Sequence, residues 1–282
     1  MKYFLLLVTG SLLNFLILFS YPVYAENELP PDIQAIVERG KLIVAMYHKD
    51  SSPFYYVDKK GKLSGVDVEL IKGFGKSLGV EVEFDRTATS FNAVVDMVAN
   101  NEADLAICKL SITFSRASRV LFTSPYIELH QGLLINRLLL AKQLSGREKE
   151  EALPSLTGKI GVIANSSYVG YAMRNFGHMQ LVEFPSWKSV VHAVTSGEII
   201  AGYRDEAEIK KIIRDEPDSA VKLLTVTLLD AKDPKGIAVS AYSTHLRDLL
   251  EFYVNSLDLK LTADKVLYQY TNVINTIRRK TL

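Results

Sequence analysis

The sequence has a single cysteine, Cys108, among 282 residues. That excludes a disulfide scaffold and any thiolate metal cluster. It also lacks an excess of either charge, with 33 Lys and Arg against 32 Asp and Glu. A nucleic-acid protein usually carries a basic excess, so no nucleic-acid partner is expected. The five histidines (His48, His130, His178, His192 and His245) fall in no metal-ligand spacing, so no metal site is expected. No cofactor motif stands out either. Gly73-Phe74-Gly75-Lys76-Ser77 contains Gly-Lys-Ser, but Leu70 stands where a phosphate-binding loop needs its first glycine. The segment also reads as mid-helix. What remains is ordinary for a folded globular chain: 48% apolar and 23% charged residues, with a length suited to two domains or one large one.

The N-terminus reads as an address. Lys2 supplies one positive charge, an apolar run follows from Tyr3 to Phe19, and Pro22 breaks it. Val23-Tyr24-Ala25 ends on a small residue, so residues 1–25 are expected to be a secretory signal cut after Ala25. The alternative is an uncleaved anchor, although the run is slightly shorter than the ~20 residues of a spanning helix. No cysteine near the cut could carry a lipid. Cys108 then has no intramolecular partner, and its apolar context (LAICKL) predicts a buried, inert thiol.

Beyond the signal, strands and helices alternate. Pro30-Pro31-Asp32 predicts a helix start and Arg39-Gly40 its end. Lys41 to Tyr47 is a β-rich run, Phe54 to Leu63 a hairpin, Asp67 to Gly79 an amphipathic helix and Val80 to Phe84 a strand. This pattern predicts an α/β protein. Part of it recurs. Ser90 to Lys109 (SFNAVVDMVANNEADLAICK) matches Ser186 to Asp205 (SWKSVVHAVTSGEIIAGYRD) at an offset of 96, with five identities in twenty and Phe91 against Trp187. Gly40-Lys41-Leu42 and Gly158-Lys159-Ile160 form a second pair in the same order. The duplication predicts two lobes built alike.

In open α/β sheets ligands sit beyond the carboxyl ends of strands, near helix N-termini. Two such lobes facing each other make a cleft lined by Tyr47 to Ser52, Lys109 to Ser111, Asn165 to Tyr168, and Asp205. Arg116 offers a rigid fork suited to a carboxylate. Asp205 suits an ammonium group, and Ser111, Ser166 and Ser167 offer hydroxyls. Arg116 could equally make a structural salt bridge. Asp205 could equally cap the charged helix that follows it. Trp187, at the head of an amphipathic helix, is expected to pack in the core.

The mature chain resembles the bacterial extracellular solute-binding proteins of family 3, the amino-acid-binding components of ABC transporters. The resemblance lies in GKLIVAMY, SPFYYVDKKGKLSGVDVELIKGFGKSLGVEVEF, NEADLAICKLSIT with Arg116 and FTSPY, then LTGKIGVIANSSY and GEIIAGYRD. It implies a periplasmic, monomeric, non-enzymatic clamp of two lobes (type II), each a mainly parallel sheet with flanking helices. Residues 26–128 plus 235–282 would form one lobe and 129–234 the other, with the hinge near 126–130 and 230–236. Arg116 would hold an α-carboxylate, helped by Ser111, Ser166 and Ser167, while Asp205 would hold an α-ammonium and Phe91 would line the side-chain pocket. An amino acid or similar zwitterion would be the ligand and an ABC permease the partner. A secreted dehydratase of the cyclohexadienyl type, with Glu128 or Lys109 as general acid, or a membrane-anchored sensor or adaptor domain, are the alternatives.

Three positions depart from the family pattern. Ser51 stands where an aromatic platform is usual, and Tyr47 or Tyr56 could substitute for it. Asn165 replaces a glycine, which asparagine's tolerance of the left-handed region permits. Lys109 replaces a small residue in the cleft. It could meet an acidic ligand, or pair with Glu128 or Asp205 and occlude the pocket.

Overall fold

A computed structural model describes residues 29–144 and 153–281. The signal expected at residues 1–25 lies outside the described residues. Among the described residues, twelve strands form two five-stranded sheets and one short hairpin. The first sheet has the order β4-β1-β5-β12-β6, built from Glu81–Asp85, Lys41–Ala45, Leu105–Ala106, Ala238–Ser240 and Val120–Phe122. The second has the order β11-β7-β10-β8-β9, built from Leu223–Lys235, Ile127–Asn136, Ala201–Asp205, Lys159–Ile163 and Gln180–Phe184. Tyr56–Val57 (β2) and Leu63–Ser64 (β3) pair as the hairpin.

Helices cover both large sheets, giving the two-lobed α/β clamp. Each sheet is mixed. In the first, β1 runs parallel to β4 and β5, while β12 runs antiparallel to β5 and β6. In the second, β8 runs parallel to β9 and β10, while β7 runs antiparallel to β10 and β11. The parallel strands include β1, β5, β8 and β10 of the repeated segments, together with β4 and β9. The antiparallel ones, β7, β11 and β12, flank the two points where the chain passes from one sheet to the other. β7 and β11 pair along most of their length, with a register shift between Leu228 and Lys232. Their ends stitch into the first lobe, where Ile112 N–H donates to Pro234 O at 2.9 Å and Tyr126 N–H to Lys235 O at 3.0 Å.

The repeat is visible in detail. Helices Phe91–Ala99 and Trp187–Ser196 are capped alike, Ser90 Oγ accepting from Ala93 N–H at 3.0 Å and Ser186 Oγ from Ser189 N–H at 3.2 Å. Val94, Val95 and Val190 are buried and Val191 is half-buried, and each helix is followed by a short strand with a buried face. Cys108 is fully buried and its thiol is pushed up to about 12 by burial, as the inert reading requires. Gly73 and Gly75 lie inside the helix Val66–Leu78 and serve close packing. A Cβ on Gly73 would stand 2.0 Å from Tyr253 Oη, and one on Gly75 would stand 2.3 Å from Val82.

Gly65 precedes that helix at φ 131°, in backbone that side chains rarely adopt. A Cβ there would stand 2.1 Å from Phe54 O. The close approach lets Val66 and Asp67 donate their N–H groups to Pro53 and Phe54 carbonyls at 3.1 and 3.0 Å. It thereby seats Asp67 beneath the cleft. Gly65→Ala is expected to cost about 2 kcal/mol or more, through clash and backbone strain together. Urea unfolding of the variant against the parent measures it.

Candidate functional site

The carboxyl ends of β1, β5, β8 and β10 face one another across the lobes. Between them lies a cavity of about 10 Å³ lined by Phe91, Lys109, Ser111, Arg116, Ser166, Ser167, Tyr168, Arg204, Asp205 and Lys235. That is the room of about one water molecule. Of the expected site residues, seven therefore converge: Phe91, Lys109, Ser111, Arg116, Ser166, Ser167 and Asp205. Tyr47 sits one layer away, its ring 4.5 Å from that of Phe91, and lines an adjoining cavity with Ser51 and Trp187. Asn165 takes the left-handed region at φ 53° and turns the chain into the helix Ser167–Asn175. Its side chain is exposed and lines neither cavity.

The cleft is closed by an ion cluster. Lys109 Nζ reaches across to both oxygens of Asp205 at 3.2 Å and to Glu208 Oε1 at 2.7 Å. Glu208 also accepts a hydrogen bond from Ser51 Oγ. All these side chains are nearly inaccessible to water. Burial alone would pull the Lys109 ammonium down, but the Asp205 and Glu208 carboxylates outweigh it and raise it above its ordinary value. Burial would likewise raise Asp205 and Glu208, and the Lys109 charge overrides it and holds both low. Asp205 Oδ1 also accepts Glu208 N–H at 3.2 Å, so it caps the following helix as well. Of the partners open to Lys109, Asp205 is the one it takes. Glu128 instead pairs with Lys232 at 2.9 Å on the surface.

Serine at position 51 now has a role. The aromatic expected there would lie against the ligand, whereas this hydroxyl binds Glu208 and joins the ion cluster. The ring beneath the ammonium is that of Phe54, 4.7 Å from Lys109 Nζ. Tyr56 does not substitute, because its ring packs on Tyr270.

Arg116 is differently placed. The turn Thr113–Ala117 buries it almost completely. Its guanidinium donates to Ser111 O at 3.1 Å and to Asn92 Oδ1 at 3.3 Å. Among the described residues no carboxylate lies within ion-pair distance of it. Burial lowers its proton affinity. Ser167 Oγ donates to Ser111 Oγ at 2.9 Å beside it, and Ser166 Oγ to Ile163 O at 2.6 Å.

Arg204, Lys235, Asp233 and Glu208 were not among the residues expected at the site, whereas Tyr168 lies in the stretch expected to line the cleft. Arg204 lies over Phe91 with its guanidinium 5.1 Å from the ring, and its Nε has no hydrogen bond. Lys235, from the crossing strand, donates to Ser111 Oγ at 3.0 Å and pairs with Asp233. Tyr168 donates to the same Asp233 at 2.6 Å. Glu208 was the legible one, standing three residues after Asp205 on a charged helix and hence on the same face.

A family model of the bacterial extracellular solute-binding proteins, family 3, matches residues 43–271. The chain belongs to that family. Relatives of the family 3 chain include a probable amino-acid ABC transporter-binding protein of Haemophilus influenzae, 24% identical over 77% of this chain and 79% of the relative. A membrane-bound lytic murein transglycosylase F of Saccharophagus degradans is 30% identical over 56% of this chain but only 29% of its own length. This family 3 chain thus spans about a third of the first curated relatives it matches. Among solved structures, an arginine-bound amino-acid ABC transporter substrate-binding protein of Streptococcus pneumoniae superposes with TM-score 0.68 at 24% identity, over 86% of this chain and 98% of that one. An ancestral amino-acid-binding protein, a precursor of cyclohexadienyl dehydratase, gives 0.67 at 24%, over 84% and 97%. These likenesses show the type II fold.

Asp67 links the cluster to the lobe beneath it. Its oxygens accept Lys109 N–H and Tyr126 Oη–H, both at 3.0 Å, and burial raises its carboxyl from 3.8 to about 7. A raised acid favours folding below its unfolded value, and that contribution is lost as pH rises through about 7. Asp205 and Glu208, held low, behave oppositely: their contribution is present above the ordinary carboxylate range and lost as pH falls through it. The melting temperature should therefore peak near the ordinary carboxylate range and fall as pH rises toward about 7. Asp67→Asn should flatten the alkaline limb and leave the acid limb. Calorimetry across a pH series checks both, and an unchanged alkaline limb would refute the assignment to Asp67.

Proposed function

We propose that this chain is an exported, periplasmic receptor that closes on a small carboxylate-bearing solute and presents it to an ABC permease, acting as a monomer and without chemical turnover. An amino acid or a solute of similar size suits the two-lobed clamp. The observation that carries the reading is Arg116: a guanidinium almost fully buried in the interlobe cleft, with hydroxyls beside it and no carboxylate of the described chain against it. Burying an arginine without a counter-charge is costly, and an incoming carboxylate offsets that cost with two parallel charged hydrogen bonds. The lobe division expected from the sequence, with crossings near 126–130 and 230–236, would supply the hinge.

The amino-acid-binding relatives support the receptor reading. So does the engagement of the two groups that a dehydratase-like alternative would use. Glu128 is on the surface with Lys232, and Lys109 is locked between two carboxylates. Neither is poised as a free general acid.

A thermal-shift screen of the twenty amino acids and common organic acids tests the proposal. At least one compound should raise the melting temperature, because a ligand bound only by the folded state stabilises it. Arg116→Ala should abolish that shift. Folded protein that responds to neither set would sink the receptor reading, and saturable product formation from prephenate or arogenate would replace it with an enzyme.

A further inference from the structure

We propose that the solute is an organic anion without an α-ammonium group, because Lys109 occupies with its own ammonium the place that a ligand ammonium would need. This inference rests on the receptor reading above and narrows its ligand class.

The geometry divides the cleft into two unlike ends. At one, Asp205 is already fully engaged. Both its oxygens hold Lys109 Nζ, Oδ1 takes Glu208 N–H, and Arg204 Nε stands 3.5 Å from Oδ2. Glu208, the other carboxylate there, holds Lys109 and Ser51. A ligand ammonium could reach Asp205 only by expelling Lys109, which would leave a second buried cation beside Arg204. At the other end, among the described residues, Arg116 has only a carbonyl and an amide oxygen as partners.

Charge argues the same way. The cavity and its immediate partners hold four cations, Lys109, Arg116, Arg204 and Lys235, against three carboxylates, Asp205, Glu208 and Asp233. Asp67 lies beneath Lys109, and burial keeps its carboxyl at about 7, so near neutrality it offsets only part of the excess. A zwitterion would leave that excess in place, whereas an anion removes it.

Room for the anion lies on the Arg116 side. Arg116, Ser166 and Ser167 also face a cavity of about 440 Å³, whose wall includes Asn92, Tyr171 and Arg174. That volume is in the range of small-molecule sites. The carboxylate would sit on Arg116 with its body in this second cavity.

The experiment is titration calorimetry of the mature chain with matched pairs that differ in the amino group: glycine and acetate, L-alanine and propionate, L-glutamate and glutarate, L-phenylalanine and 3-phenylpropionate. The 2-oxo and 2-hydroxy acids of the same skeletons complete the panel. The expected result is that an ammonium-free acid binds at least about 100-fold more tightly than its amino acid. Lys109→Gly, which suits the observed φ of 52°, should bring amino-acid binding in. An amino acid binding the parent as tightly as its matched acid, or more tightly, overturns this inference and leaves the receptor reading intact. Folded parent that binds neither member of any pair overturns both. A folded Lys109→Gly chain that discriminates as the parent does overturns the role of Lys109. The parent's pairwise comparison stands by itself if that variant fails to fold.

Discussion

The closed cleft depends on one buried ion cluster, Lys109 with Asp205 and Glu208. Lys109 stands three residues beyond β5 in one lobe, and its partners stand at the end of β10 and on the next helix in the other. Such a cluster is a poor source of net stability, because removing the charges from water costs several kcal/mol per ion. Its effect is on register. An ammonium shared by two carboxylates is satisfied in one relative placement of the lobes, and each group is left buried and unpaired in others. Supporting contacts are arranged accordingly. Asp67 fixes the Lys109 backbone, which takes the left-handed region at φ 52°, and Phe54 lies under its ammonium. Gly65 allows the backbone approach that puts Asp67 there.

The duplication explains why these residues meet. Lys109 and Asp205 are the last residues of the two repeated segments, separated by the repeat offset of 96. Two lobes built alike and facing each other bring equivalent strand ends together, so the equivalent positions become opposite walls of one cleft. A base in one copy and an acid in the other then pair directly. Near-neutral overall charge conceals this, because what matters is the sign carried at one repeated position rather than the sum along the chain.

Strand and helix positions were readable because local rules agreed with the fold: serine caps at Ser90 and Ser186, glycine stops at Gly40 and Gly79, and valine pairs at helical spacing. The parallel strands followed from the alternation. The antiparallel ones did not, because β12 and the long β7 and β11 belong to the crossings, where pairing is set by lobe connectivity. In the site, residues after repeated strands were legible by position. Lys235 and Asp233 were not, because an alternating polar residue on a crossing strand looks like a solvated one until the second lobe covers it. Arg204 was hidden for a related reason. Strand alternation gives it a face but does not say that Phe91 of the other lobe lies over it.

The choice between pairing inside the protein and pairing with the solute is what distinguishes one end of this cleft from the other. A clamp that leaves both an arginine and an aspartate unpaired draws its closing free energy from a zwitterion that neutralises both. Here one half of that arrangement is internal. Lys109 supplies the cation that Asp205 and Glu208 require, so lobe contact at that end does not wait for a ligand. The other half stays open at Arg116, whose buried charge opposes closure until an anion reaches it. An internal salt link of this kind lowers the free energy that a solute must contribute to close the lobes. It also narrows the solute, under the proposed reading, to one that brings negative charge alone. Under the proposed reading, the replacement of a small residue by lysine at position 109 and of an aromatic by serine at position 51 is therefore one change. The serine hydroxyl satisfies the carboxylate that the lysine draws into the cleft, and a ring at that position would have left Glu208 with a single partner.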